Sequence, residues 1–238
     1  METSLYHYTS MDVLTKILCE KSISFWVTHH QYLNDPTEYN WGEGKAKELF
    51  PDCDYSRNDF FILSLSKRKD FLPMWAMYSG NGTGIMIELE NIPSYCLQSK
   101  YCMGECYYNL ENIDNVLRQN SVKHLKQSED EFRIHLADSM MLYFPYTMKH
   151  PAYEYEEEVR FIFEKQKDES LVFKEKNGIL IPCIERHFDK DFIKSITLGP
   201  MLEAGKDRAI KSLKQFLSQN GYEHLLNEVY FSNVPYRG

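Results

Sequence analysis

The stretch Leu5-Tyr6-His7-Tyr8-Thr9-Ser10-Met11-Asp12-Val13-Leu14-Thr15-Lys16-Ile17-Leu18 decides how the chain is read. Leu5 to Tyr8 is short, aromatic and β-prone, which predicts a strand. Thr9 or Ser10 then offers a hydroxyl to cap a helix whose apolar residues Val13, Leu14, Ile17 and Leu18 share one face. Ile23 to Val27, β-branched and aromatic, predicts a second strand. Further along, Asn34-Asp35-Pro36-Thr37-Glu38 sets Asp at an N-cap, Pro at the first helical position and Glu three residues past the cap, a helix start.

Beyond these, strands are predicted at Phe60 to Leu65, Ile85 to Leu89, Cys102 to Tyr107, Glu157 to Glu164, Gly178 to Ile184, Phe192 to Leu198 and Val229 to Ser232. Helices are predicted from Phe71 to Tyr78, with Asp70 as cap and Pro73 in the first turn, from Leu110 to Tyr143, and from Leu202 to Leu217. Many short strands interrupted by helices indicate an α+β fold rather than a regular βαβ series. At 238 residues the expectation is a single elaborated domain spanning 1–238.

Composition narrows the function classes. The net charge of -8 gives the whole molecule no attraction to nucleic acid or to an anionic membrane. Local basic groups remain at Lys67-Arg68-Lys69 and along Lys206, Arg208, Lys211 and Lys214. No apolar run approaches a membrane span. Seventeen tyrosines and fourteen phenylalanines exclude a disordered chain. Six cysteines lie scattered, without a Cys-x-x-Cys pair or a secretory signal, which predicts reduced thiols in the cytoplasm. Cys102 and Cys106 have no histidines at zinc-site spacing, so no metal site is expected.

Four groups of residues could carry chemistry. His7 stands in an aromatic strand, with Thr9 and Ser10 opening a helix whose free N–H groups favour anions. Ser64 and Ser66 end a strand ahead of Trp75 and Tyr78, rings able to stack on a flat heterocycle. In Tyr153-Glu154-Tyr155-Glu156-Glu157-Glu158-Val159-Arg160 an extended backbone puts Glu156, Glu158 and Arg160 on one face. Two carboxylates beside a guanidinium suggest a site of tuned charge or an internal ion pair, and a carboxylate there suits an oxocarbenium-like sugar. Asn34 to Glu38 reads mainly as a turn and cap. The glycines at 80, 82 and 84 match neither a P-loop nor a dinucleotide fingerprint, because a strand follows them.

Tyr6-His7-Tyr8-Thr9-Ser10, the following helix and Ile23-Ser24-Phe25 resemble the opening of ADP-ribosyltransferases. The pattern Leu33-Asn34-Asp35-Pro36-x-Glu38, Ser64-Leu65-Ser66, Met74-Trp75-x-x-Tyr78, Glu156-x-Glu158-x-Arg160 and Pro235-Tyr236-Arg237 is similar to a divergent bacterial branch of that superfamily. The resemblance implies a split β-sheet core with inserted helices and NAD as substrate, held in a cleft between the halves. It implies that His7, with Tyr8 and Thr9, holds the ribose and nicotinamide amide, and that Ser64, Trp75 and Tyr78 form the second motif, with Tyr78 stacking on nicotinamide. Arg160 joins this binding set. Glu158 is implied as the catalytic carboxylate and Glu156 as its paired acid. Tyr8 stands where polymerases carry glycine, and Arg160 lies outside the usual triad. The implied activity is transfer of ADP-ribose to nucleic acid or protein, as in toxin–antitoxin or phage-defence effectors with a neutralising protein partner. Two alternatives stay open: NAD hydrolysis with water as acceptor, and a non-catalytic nucleotide-sensing or protein-binding module.

Overall fold

A computed structural model describes residues 4–18, 22–34, 38–49, 59–92, 95–96, 101–109 and 142–236. In chain order its elements are β1 (Leu5–Thr9), α1 (Met11–Ile17), β2 (Ile23–His29), α2 (Glu38–Leu49), β3 (Phe60–Ser66), α3 (Leu72–Tyr78), β4 (Ile85–Leu89), β5 (Tyr95–Cys96), β6 (Tyr101–Glu105), β7 (Glu158–Glu164), β8 (Val172–Lys176), β9 (Ile179–Phe188), β10 (Ile193–Leu198), α4 (Lys206–Gln219) and β11 (Val229–Phe231). The fold is α+β. The described chain forms two compact units: Met1–Trp26, Ser64–Pro93 and Glu185–Gly238 in one, Val27–Leu63 and Ser94–Ile184 in the other. Among the described residues no helix is long and apolar enough to cross a membrane.

In the first unit β4 is the central strand. Its sequence Ile-Met-Ile-Glu-Leu is buried at every position, so it is covered on both faces. It pairs antiparallel with β1, Leu5 opposite Leu89 through Thr9 opposite Ile85, and on its other side with β10; β11 then lies parallel to β10. Tyr6 and Tyr8 of β1 pack with Met74, Trp75 and Met86, against which Phe71, Tyr78 and Val234 also rest. α4 buries Leu213 and Leu217, and its amphipathic pattern leaves most other positions exposed.

In the second unit β7 is buried from Glu158 to Phe163 and pairs antiparallel with β6, Glu105 opposite Val159 through Tyr101 opposite Phe163. Phe60, Ile62, Tyr146 and Ile162 form one hydrophobic cluster here. β8 and β9 form a hairpin around Asn177 and Gly178, both at positive φ. α2 packs against a 3-10 turn at Phe144–Thr147. A Cβ at Gly42 of α2 would collide with the carbonyl of Pro145, so only glycine permits this approach.

Three expectations change. Asp70 does not cap α3: the N-cap is Phe71, with no side-chain cap bond. Asp70 itself has φ +47°, and its carboxylate instead accepts from Trp75 Nε1 at 2.9 Å, Ser232 Oγ at 2.5 Å and the Asn233 N–H at 3.1 Å. Those bonds tie the C-terminal segment to α3, a long-range task that local sequence does not announce. The helix expected from Leu202 begins at Lys206, because Pro200–Gly205 winds as a 3-10 segment first. β8, rich in charge and largely exposed, has no strong strand pattern and was not anticipated. The cap at Asp35-Pro36-Thr37 and the helix from Leu110 up to residue 141 lie outside the described residues; of the latter, only Leu142 and Tyr143 are seen, and they are helical.

Gly42→Ala tests the approach of α2 to the turn. Alanine favours a helix by about 1 kcal/mol, yet the added methyl has no room. A net loss of about 1–3 kcal/mol is expected from overpacking, read as a lower urea midpoint; an unchanged midpoint would contradict the contact.

Candidate functional site

A buried set of charges lies within the second unit. Lys149, Glu156, Glu158, Arg160 and Glu38 are each at most 7 % exposed. Lys149 Nζ donates to Glu156 Oε2 at 2.5 Å and to Glu158 Oε2 at 2.6 Å. Arg160 donates from Nε to Glu158 Oε1 at 2.9 Å, from Nη2 to Glu158 Oε2 at 3.1 Å, and from Nη1 to the Tyr146 carbonyl at 2.8 Å. Its Nη2 also pairs with Glu38 Oε1. Every charge in the group is therefore paired, which is what burial demands.

Local backbone makes the arrangement. Glu156 ends a 3-10 turn, Pro151–Glu156, and Glu157 caps it in the left-handed region at φ +42°. That single reversal carries the chain into β7, with Glu156 and Glu158 both buried and Glu157 only partly so. Strand alternation then brings Arg160 to the same side as Glu158. The Glu158 N–H is held by Tyr108 Oη at 2.8 Å and its carbonyl by the Cys106 N–H, also at 2.8 Å. Lys149 is seated over the Tyr153 ring, 4.9 Å from its centroid.

These contacts set the charge states. Burial alone would raise the pKa of Glu158, but Arg160 and Lys149 outweigh it and hold the carboxyl well below its ordinary value. Burial would lower Lys149, and the carboxylates of Glu158 and Glu156 push it up instead. Glu38 behaves the other way: burial raises its pKa despite Arg160, because that guanidinium is shared with Glu158. The group holds three carboxylates against two cations, and Glu38 takes a proton more readily than Glu158.

Beside it is a small cleft, with room for about one water-sized group, lined by His30, Leu33, Glu38, Tyr39, Ile62, Pro145, Tyr146 and Arg160. His30 is buried and its Nδ1 lies 3.2 Å from the Phe60 carbonyl, the geometry of an Nδ1–H donor. Burial holds the imidazole pKa down at about 4, so the ring is neutral at physiological pH.

The expected site residues of the first unit fall into two places. His7 is half-buried, with Nδ1 3.4 Å from the Ser64 carbonyl and its ring edge-on to Phe25 at 5.3 Å. Tyr8 is buried, and its hydroxyl donates to the Arg68 carbonyl at 2.7 Å and accepts from the Phe71 N–H at 3.1 Å. Thr9 is buried at the strand end. Trp75 is fully buried, edge-on to Tyr8, and Tyr78 is half-buried against the same cluster. Because alternate residues of β1 point to opposite sides, His7 and the Tyr8–Trp75–Tyr78 group lie on opposite faces of the strand. The structure thus brings the His7 ring to the Ser64 carbonyl and sets it on the other face of β1 from the expected stacking rings. Trp75 serves as core, with no ring face left for a ligand.

The helix opened by Ser10 is only seven residues long and Ser10 makes no side-chain cap bond, so little dipole is available there. In the loop before β4 the N–H groups of Gly82, Thr83 and Gly84 already donate to the carbonyls of Trp75, Gly80 and Ser79. In the second unit Glu158 and Arg160 share a face of β7 as expected, whereas Glu156 lies in the 3-10 turn rather than an extended run and joins them through Lys149. Lys149 and Glu38 complete them and were not anticipated as site residues. Glu38 carried a signal, as an acid in a helix start, but that position is equally an ordinary cap. Among the described residues no group of His, Cys, Asp and Glu is arranged to hold a metal ion.

A family model described as a protein of unknown function, DUF2971, matches residues 74–161, just over a third of the chain. The match runs from α3 through Lys149, Glu156, Glu158 and Arg160, so the chain is similar to that family over most of the charged group. No curated protein and no solved structure matches the chain.

Two measurements test the charged group. Lys149→Met leaves three buried carboxylates with a single guanidinium, and should cost about 3–5 kcal/mol by chemical denaturation; a loss under about 1 kcal/mol, the worth of an exposed pair, would mean the group is solvated. The folded pKa of Glu158 lies below its ordinary 4.5, so its stabilisation is complete above that value and lost as pH falls through the lower folded one. Unfolding free energy should therefore decline more steeply below pH 4.5 in the wild type than in Glu158→Gln; equal slopes would contradict the pairing.

Proposed function

We propose that the chain is a NAD-consuming, ADP-ribosyl-transferring enzyme in which Glu158 is the carboxylate that meets the ribose. The observation that supports this is the state of Glu158, an ionised carboxylate held in a dry setting by two cations. Breaking a nicotinamide–ribose bond develops positive charge at the sugar carbon, and a fixed anion in low dielectric stabilises that charge. Lys149, on a flexible stem, is the partner that can yield: a ribose hydroxyl then donates to Oε2 in its place while the ammonium stays on Glu156. The planar fork of Arg160 keeps the carboxylate oriented meanwhile. The resemblance assigns ribose binding to His7, whose ring nitrogen at Ser64 and half-exposed position suit hydrogen bonding to a hydroxyl.

The acceptor is nucleic acid or protein in this reading, and water in its hydrolase variant. The cytoplasm is its setting, and a neutralising protein its partner if it acts as a toxin or phage-defence effector. A second reading, a non-catalytic nucleotide-sensing or protein-binding module, is favoured by two observations. Both oxygens of Glu158 already have partners and Trp75 is spent in the core.

Incubation with NAD separates the readings. The enzyme reading expects nicotinamide release that falls by about a hundredfold or more in Glu158→Gln, with the variant's circular dichroism unchanged. His7→Ala should weaken NAD binding by calorimetry. Labelled NAD offered with RNA, DNA and cell protein identifies the acceptor, and free ADP-ribose as the sole product marks the hydrolase. NAD binding without nicotinamide release supports the module; no binding at millimolar NAD overturns both.

A further inference from the structure

The cleft beside the charged group has a chemical bias of its own. His30 is 2 % exposed, yet its Nε2 has no hydrogen-bond partner among the described residues. With Nδ1–H facing the Phe60 carbonyl, Nε2 carries the lone pair and can only accept. A buried acceptor left unmatched is costly, so a donor from a ligand is the natural complement. The Nε, Nη1 and Nη2 groups of Arg160 are directed to Glu158, the Tyr146 carbonyl and Glu38. Glu38 presents a carboxyl group at the cleft, and the neighbouring group carries one carboxylate more than it has cations. The remaining walls are rings: His30 and Tyr39 have centroids 4.6 Å apart, His30 and Tyr146 5.2 Å, and Tyr39 and Tyr146 5.1 Å. Aromatic faces beside a carboxyl attract cations.

We propose that this cleft binds a primary ammonium group, R–NH3+, which donates to His30 Nε2 and Glu38 while its carbon rests among Tyr39 and Tyr146. The cleft has room for about one water-sized group, which admits an ammonium terminus rather than a quaternary head. Three N–H donors match two acceptors and a ring face, whereas a quaternary ammonium has none to give. The amine can belong to a free small molecule or to a lysine side chain, since both present the same terminus. The inference is independent of NAD chemistry and stands or falls without it.

Titration of the full-length chain with methylammonium, followed by calorimetry and by the His30 ring signals in NMR, tests the site. Saturable binding that shifts those signals is expected, with tetramethylammonium silent. His30→Phe keeps a ring and removes the acceptor, and should weaken methylammonium by about tenfold or more; Glu38→Gln should weaken it likewise. Equal response to tetramethylammonium, an unchanged Kd in His30→Phe, or no binding at hundreds of millimolar would overturn the proposal. The comparison of the two ammonium ions uses the wild-type protein alone, so it decides even if a variant fails to fold. A short lysine peptide and butylamine then name the source, the tighter binder marking a protein side chain or a free amine; either result supports the site. Nicotinamide release without methylammonium binding would sink this inference and leave the enzyme reading intact, and the converse result would do the reverse.

Discussion

Arg160 is the member of the second unit with most to satisfy, and much of that unit is arranged around it. A guanidinium cannot shed its proton, so once β7 buries it the surroundings must supply acceptors in its own plane. They come from three separate stretches of chain: Glu158 two residues away, the Tyr146 carbonyl from the turn before β7, and Glu38 from the start of α2. Each constrains its element. The carbonyl of Tyr146 fixes the turn that Gly42 of α2 must approach closely, and Glu38 fixes the end of α2 itself. Lys149 then balances Glu158 and Glu156, and Glu157 accepts a left-handed conformation so that both acids can be buried. A group of this kind is poor value as stability compared with packed apolar side chains, since desolvation offsets most of the Coulomb gain. A tuned local field is a reason to keep it.

The first unit is organised by neutral and single-charge staples. Tyr8 Oη holds both the Arg68 carbonyl and the Phe71 N–H, while Asp70 gathers Trp75, Ser232 and Asn233. Together they clamp the segment between β3 and α3 and the C-terminal stretch beyond β11. That explains why residues with an apparent ligand-binding signature, Tyr8 and Trp75, are committed to the interior. His7, on the other face of β1, escapes the same fate because its neighbours there are the Ser64 carbonyl and the edge of Phe25 rather than a helix.

Strands were legible wherever apolar runs were bounded by turn residues: β4 matches Ile85 to Leu89 residue for residue, and β1, β3, β7 and β10 differ by a residue at their ends. Such runs report burial on both faces, which a single stretch of sequence records directly. β8 was not legible, because Val172–Lys176 alternates exposed and half-exposed side chains and is defined by its pairing with β9. Glu158 and Arg160 on one face were readable from spacing, whereas the turn that carries Glu156 and the partners Lys149 and Glu38 were not. Arg160 and Glu38 are 122 positions apart, and no local pattern distinguishes a helix-start glutamate that caps from one that is buried against a guanidinium.

By itself, then, the sequence determined the α+β class, most of the strands and the concentration of charge at the entry to β7, since these follow from periodicity and from residue types within a few positions of each other. Only the tertiary structure decided which charges pair, that Glu38 belongs to them, that His30 keeps an unmatched nitrogen beside them, and that His7 and Trp75 stand on opposite faces of one strand. The physical reason is that desolvation and pairing are properties of a residue's surroundings, and those surroundings are assembled from stretches that meet only when the chain has folded.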